Sequence, residues 1–464
     1  MRREAIIAVN RFGLGAAPGE LAAAASDPRG WLAAQILKPV PDHPAFAELA
    51  ASSETLKEYP RWIASLRMAR GDASATMRAD GQPTVRGIEQ NFRDFFGPGM
   101  LKEVGARLAA GASTPAPFHE RLALFWANHF TVSAEKPVIF AVVGSFEREA
   151  IRPYVGGTFV DMLVASSKHP AMILYLDNNL SVKPGFTGPP NAGANAPRLT
   201  GLNENLAREI LELHTLGVNG GYTQADVTTF ARVLTGWTVG GPANPGFAFI
   251  SRRHDAGPKT ILGKTYTQDG MAQGEAVLRD LAAHPATATH IATKLARHFI
   301  ADQPPPAAIE RIARAFRESG GHLPTVYAAL LDSPEAWDAP LAKLKSPVEY
   351  IVSCLRALPA AREAKPQALF FTLREMGQRP FFAPSPQGWP DTSAAWAGAD
   401  GLWKRIEWAG TLAARAGSRI DPLELARESY GDAVSEATRL AISRAESRQQ
   451  GLALWLASPE FQRR

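Results

Sequence analysis

The sequence predicts a mostly α-helical protein: a multi-helix orthogonal bundle carrying a small β-ribbon insert. Three observations lead there. Apolar residues recur at three- and four-residue spacing along most of the chain. Prolines fall where helices can start. The strongest strand signal is confined to two short runs, Phe247-Ala248-Phe249-Ile250 and Thr260-Ile261-Leu262. With 464 residues and 45% apolar content, the chain can bury a large core.

Helical spacing covers Pro28 to Leu37, Pro60 to Arg70, Val85 to Phe96 and Met100 to Ala110. The breaker Pro115-Ala116-Pro117 then precedes an aromatic-rich helix over Phe118 to Phe130. Helices follow over Val138 to Arg152, Phe159 to Ser167 and Ala171 to Asp177. Residues 178–200, rich in glycine, proline and asparagine, form a long loop of the kind that covers or lines a site. A helix over Asn203 to Leu216 ends at Gly217, and Thr223 with Asp226 caps the next one. Its buried stripe is Val227, Phe230, Val233, Leu234 and Trp237. The two strand runs pair as one ribbon across Ser251 to Lys259, and helices resume over Glu275 to Ala283, Ala286 to Ile300, Ala307 to Glu318, Leu323 to Leu331 and Val348 to Leu358. A boundary near Pro359 to Pro366 divides a main helical domain, 1–358, from a helical extension, 359–464, packed on it. The main domain holds the 178–200 loop and the 246–266 ribbon.

Net charge is +5 and the arginine pairs are scattered, so nothing points to nucleic acid. The lone Cys354 excludes an intramolecular disulfide framework, and its apolar neighbours suit a buried small hydrophobe. No stretch reaches the roughly 18 apolar residues of a membrane span. The apolar run near the N-terminus is too short for a signal peptide, so the sequence alone points to the cytoplasm.

Two near-motifs fail on position. Gly257 to Thr265 ends like a phosphate-binding loop, but Pro258 stands where its leading glycine is needed, and no helix opens after Thr265. Gly13-Leu14-Gly15 lacks the third glycine and the βαβ unit of a dinucleotide site, so a structural turn is expected. No nucleotide cofactor is expected.

The feature with most chemistry is the Glu204, Arg208, Glu212 row, four residues apart and therefore on one helix face. Facing inward, the row could work in acid–base catalysis or hold a hard cation through its carboxylates, so a divalent metal is compatible with it. Facing outward, it is a salt-bridge ladder worth a few tenths of a kcal/mol per pair. Periodicity alone leans toward the ladder. Asn128-His129, Asp177-Asn178 and His254-Asp255 are further polar candidates, for which core, turn and surface roles are the plainer readings. Lys294, Arg297 and His298 form a basic stripe that suits a solvated face, with a phosphate or sulfate subsite as the alternative.

Taken together, these segments resemble the bacterial family catalogued as domain of unknown function 1800. The resemblance rests on Arg11 to Gly15, Phe125 to Phe130, Tyr175 to Asn178, Asn203 to Gly217, Tyr222 to Trp237, His254-Asp255 with Lys259 and Leu262-Gly263, and Gly388-Trp389-Pro390. It names no reaction. It implies export to the periplasm as an alternative location, and a partner resembling a sulfatase or alkaline phosphatase. Work on the cell envelope or on a polymer would fit both.

The leading expectation is a hydrolase or transferase acting on a polar or polymeric substrate. Glu204 or Glu212 would be its general acid or base, Arg208 would orient a neighbour or an anion, and His129 with Asp255 would complete the site. Asn128, Asp177, Asn178, Trp237, His254 and Lys259 would bind substrate. The rival expectation is a non-catalytic helical scaffold or maturation partner, and a third is a metal-dependent enzyme using carboxylates and histidine.

Overall fold

The structure, a computed structural model, describes residues 3–37, 42–59, 85–187, 199, 201–338 and 341–464; over 85–95 it describes the backbone alone. Helices dominate, and two separate two-stranded antiparallel sheets are the extended structure among the described residues. The helix expected over Pro60 to Arg70 lies outside the described residues.

One contiguous core runs from Ala5 to Phe461. Arg3–Ile7 and the π-helical turn Ala8–Phe12 are buried nearly throughout, and Phe12 packs on Phe118, Phe299 and Trp337 with ring centres 5.2–5.7 Å apart. The following Gly13-Leu14-Gly15 is a turn whose carbonyls accept from Arg121, Ser353 and Arg356. Gly15 has φ +92°, and a Cβ there would lie 2.9 Å from that of Ser353, so the close approach requires glycine.

Proline opens many helices, Pro117–His129, Pro137–Phe146, Pro285–Phe299, Pro347–Ala357 and Pro366–Glu375 among them. Histidines precede Pro44, Pro170 and Pro285, and in each the Nδ1 accepts the backbone N–H two residues on at 3.1 Å. His43, His169 and His284 are therefore caps.

Several expectations need correction. Val85–Ser113 is one helix and not two; Pro98 lies inside it, and packing against Pro137–Phe146, Pro347–Ala357 and Pro366–Glu375 supports what a proline interior weakens. The two strand runs do not pair with each other. Strand β1 (Trp237–Val239) pairs with β2 (Phe247–Phe249), and β3 (Lys259–Ile261) pairs with β4 (Lys264–Tyr266). Leu262 and Gly263 both have positive φ, the requirement of a two-residue hairpin turn, so the segment that resembled a phosphate loop is a hairpin. Trp237 is buried as expected but begins β1, because the helix Gln224–Val233 ends before it. Cys354 is fully buried and its thiol is pushed up to about 12 by that burial.

Candidate functional site

Two helices supply most of the polar lining of a cavity of about 390 Å³, and several other segments complete it. From Pro117–His129 come Arg121, Phe125, Asn128 and His129; from Pro285–Phe299 come His290, Lys294, Arg297 and His298. The latter helix buries Ile291, Ala292, Leu295, Ala296 and Phe299, which directs the polar stripe spaced by three and four residues to the opposite side. Glu212, Lys343, Glu349, the segment Gln387 to Thr392 with Trp396, and Arg464 close the remaining walls.

The segment after Ser385 is fixed by the Asn128 side chain. Its Nδ2 donates to the Trp389 carbonyl at 2.9 Å and its Oδ1 accepts from the Trp389 N–H at 2.8 Å, a reciprocal pair like one rung of a sheet. Gly388, at φ +86°, sits so close that a Cβ would be 2.4 Å from the Asn128 carbonyl oxygen. This clamp brings Asp391 to His298, whose Nδ1 lies 2.7 Å from Asp391 Oδ2.

Asp391 is the hub of the charges. Arg464 reaches its other oxygen at 3.3 Å, and the Lys343 ammonium lies 3.4 Å from it while donating to the Asp391 carbonyl. Glu349 pairs with Arg121 and, at 3.0 Å, with Arg464. Burial alone would raise both carboxyls. Arg464 and Arg121 hold Glu349 down at about 2, and His298, Lys343 and Arg464 hold Asp391 well below the usual range. Arg107 is paired with Glu147 at 2.9 Å. Cations still outnumber carboxylates on the lining. Among the described residues, Lys294 Nζ and the Arg297 guanidinium have neither a hydrogen bond nor an ion pair. Burial lowers Lys294 to about 8, with Asp391 opposing and Arg297 adding to the shift.

The histidines are neutral near pH 7. Burial takes His298 to about 4 despite Asp391, and His290 to about 4 with help from Lys294. His129 and His214 fall too, His214 to about 3, through burial and then Lys294. His129 Nε2 and His290 Nε2 contact the carbonyls of His214 and Leu213 at 3.1 and 3.0 Å, which fixes each as the N–H. His298 Nε2 is buried and has no partner among the described residues. With Nδ1–H held by Asp391, that nitrogen keeps its lone pair, the arrangement of an oriented general base. Among the described residues no group of three or more His, Cys, Asp or Glu is placed to hold a metal ion.

A family model matches residues 7–463. The chain belongs to the family described as Protein of unknown function (DUF1800). No curated protein and no solved structure matches it. Among the described residues no helix is long and apolar enough to cross a membrane.

The family-bearing motifs divide between three places. Asn128, His129 and Glu212 line the cavity. Glu204 and Arg208 stay on the half-exposed side of Asn205–Glu209, where Glu204 accepts from Arg208 at 3.1 Å, Gln224 at 2.8 Å and Thr228 at 2.6 Å. Glu212 itself lies within the π-helical turn that follows them, Ile210–Thr215. The wider spacing of that turn breaks the four-residue row and carries Glu212 to the cavity rim, where Tyr222 donates to it at 3.0 Å. Asp177, Asn178, Trp237, His254, Asp255 and Lys259 gather around β1 and β3 and do not line the cavity. There Asn178 donates to the Leu234 and Trp237 carbonyls, His254 Nδ1 meets the Thr235 carbonyl, Lys259 donates to three carbonyls from Asp255 to Gly257, and Lys136 pairs with Asp177 at 2.6 Å. The described part of the 178–200 loop also stays off the cavity lining.

Lys294, Arg297 and His298 correct the sequence reading, because they face the cavity and are not a solvated face. Asp391, Arg121, Glu349, Lys343 and Arg464 were not anticipated. A signal existed for Asp391, which directly follows Gly388-Trp389-Pro390, and for His290, four residues before Lys294 on the same stripe.

Proposed function

We propose that this protein is a hydrolase or transferase whose reaction centre is the cavity, with His298 as general base, Asp391 as its positioning partner and Glu212 as an acceptor for a reacting hydroxyl. The observation that carries this reading is the 2.7 Å contact between His298 Nδ1 and Asp391 beside the Lys294 ammonium, which has no partner among the described residues. His298 Nε2 takes a proton from a water or an acceptor hydroxyl as its oxygen attacks. The bond to the leaving oxygen breaks, and the imidazolium, stabilised by Asp391, returns the proton to that oxygen. Water as nucleophile gives hydrolysis; an alcohol gives transfer. A polar or polymeric substrate, envelope-associated if the protein is exported, agrees with the charged lining.

The test is a screen of 4-nitrophenyl phosphate, sulfate and acyl esters and of 4-nitrophenyl glycosides, followed by variants. The expected outcome is turnover of one class that falls by about 100-fold or more in His298→Gln and is retained in Glu204→Gln. Equal turnover in His298→Gln would reject the assignment.

A non-catalytic scaffold is the second reading, and one observation favours it: His298 Nε2 is closed off from solvent, while Glu349 and Asp391 are fully engaged by cations. That reading predicts loss of stability without loss of any activity in the His298 variant, together with a stable protein partner in pull-downs.

A further inference from the structure

We propose that the cavity recognises an anionic carbohydrate, a sugar bearing a phosphate, sulfate or carboxylate group, with Lys294 and Arg297 holding the anion and Trp389 with Trp396 supporting the ring. This rests on the reading of the cavity as a substrate site and narrows its substrate class.

The charge argument starts from what is left over. Each of Arg121, Lys343 and Arg464 is committed to a carboxylate, whereas Lys294 and Arg297, three residues apart on one helix, have no partner among the described residues. Half-buried cations without a counter-ion are costly to hold in a protein wall. A ligand oxyanion would remove that cost, and a guanidinium beside an ammonium offers it both a planar fork and a point charge.

The ring argument comes from two tryptophans on the same lining. Neither Trp389 nor Trp396 belongs to the hydrophobic core or packs against it; both are half-exposed, with ring centres 6.0 Å apart and planes tilted by 46°. Both are nevertheless held. Asn128 grips the Trp389 backbone on both sides, and the Trp396 Nε1–H donates to the Pro390 carbonyl at 3.1 Å. A tilted pair is not a slot for a flat nucleobase. It offers an open apolar surface against which the C–H face of a pyranose packs, while the indole edges stay compatible with a polar rim.

Calorimetric titration of the full chain with glucose 6-phosphate, glucose 6-sulfate, glucuronate, glucose and inorganic phosphate tests this. At least one sugar anion should bind, with glucose and inorganic phosphate each at least tenfold weaker. Trp396→Ala should weaken the sugar anion but not inorganic phosphate. Lys294→Met should weaken both, and Lys294→Arg should keep binding above pH 9, where the native lysine, lowered to about 8 by burial, is expected to lose its charge. Inorganic phosphate binding as tightly as every sugar anion, equal binding of glucose, or no binding by any of the sugars would overturn the proposal. The enzyme reading fails separately: if sugar anions bind and the His298→Gln protein turns over substrate at the native rate, the substrate class stands and the catalytic assignment falls.

Discussion

Two polar regions of this molecule have similar composition and differ in whether their charges are paired. Around β1 and β3, His254, Lys259 and Asn178 spend donors on nearby carbonyls, the Asp255 N–H donates to the Thr235 hydroxyl, and the Asp255 carboxylate lies 3.8 Å from Lys259, a short-range pair of the kind that closes a loop. On the cavity wall, cations outnumber carboxylates, Lys294 and Arg297 lack partners among the described residues, and two imidazole nitrogens, His129 Nδ1 and His298 Nε2, are stranded. Both regions contain a histidine, an aspartate and a lysine. What separates them is charge: near β1 the buried atoms left without a partner among the described residues include neutral groups such as Asn178 Oδ1 and Trp237 Nε1, whereas the cavity wall leaves whole cations so, and an uncompensated cation in a cavity can receive an anionic ligand.

The comparison breaks most visibly on Asp391. Removing it as Asp391→Ala strips the His298 Nδ1–H of its acceptor and leaves Lys343 to Asp302 and Arg464 to Glu349, and a loss of about 1–3 kcal/mol is expected from buried donors that lose a charged acceptor. Asp255→Ala, whose carboxylate lies 3.8 Å from Lys259, should cost less than about 1 kcal/mol. Urea unfolding of the two variants side by side decides it; equal losses would place the two regions on the same footing.

Gly388→Ala comes next. The added Cβ would meet Asn128 and Thr131 atoms at 2.4–2.7 Å, and the backbone is left-handed. The expected loss is about 2–3 kcal/mol, accompanied by weaker binding of any cavity ligand because Trp389 and Asp391 shift together. A midpoint unchanged in urea would show that the clamp is looser than its geometry.

Acid sensitivity sharpens the contrast further. For His129, His214, His290 and His298 the folded pKa lies below the unfolded value of 6.5, so the unfolded chain binds protons first as pH falls. Stability is therefore complete above about 6.5 and declines from there toward about 4, by up to about 1.4 kcal/mol per pH unit for each histidine. His119 and His254 shift in the same direction and add to the slope. Lys294 lowers His129, His214 and His290, so Lys294→Met should flatten the fall in melting temperature between pH 7 and 5. An unchanged slope would mean that burial alone sets these histidines.

The smallest effect belongs to Glu204. Its bonds to Arg208, Gln224 and Thr228 lie on a half-exposed face, and Glu204→Gln should change stability by less than about 1 kcal/mol.

The helices were legible because burial imposes a three-to-four residue period on sequence. The hairpins were legible as strands but not as pairs, since three-residue strands take their partners from tertiary context that no local pattern records. The site was half legible. Asn128, His129 and Glu212 were selected as polar residues in motif-bearing helices, but the expected row failed at Glu212, because a π-helical turn leaves no periodic mark. Lys294, Arg297 and His298 were seen as a stripe and assigned to solvent, where most charged stripes lie. The acidic partner of His298 is 93 residues away and is delivered by a backbone clamp on Asn128, a connection that exists only once the chain is folded.

The most direct measurement is amine labelling of the native protein with acetic anhydride across pH 6 to 10, with the Lys294 peptide followed by mass spectrometry. The account predicts that Lys294 reacts in the folded state with a midpoint near 8, ahead of surface lysines, and is protected by a bound sugar anion. If Lys294 stays unmodified until the protein unfolds, the cavity is a closed structural knot and the functional assignment is wrong.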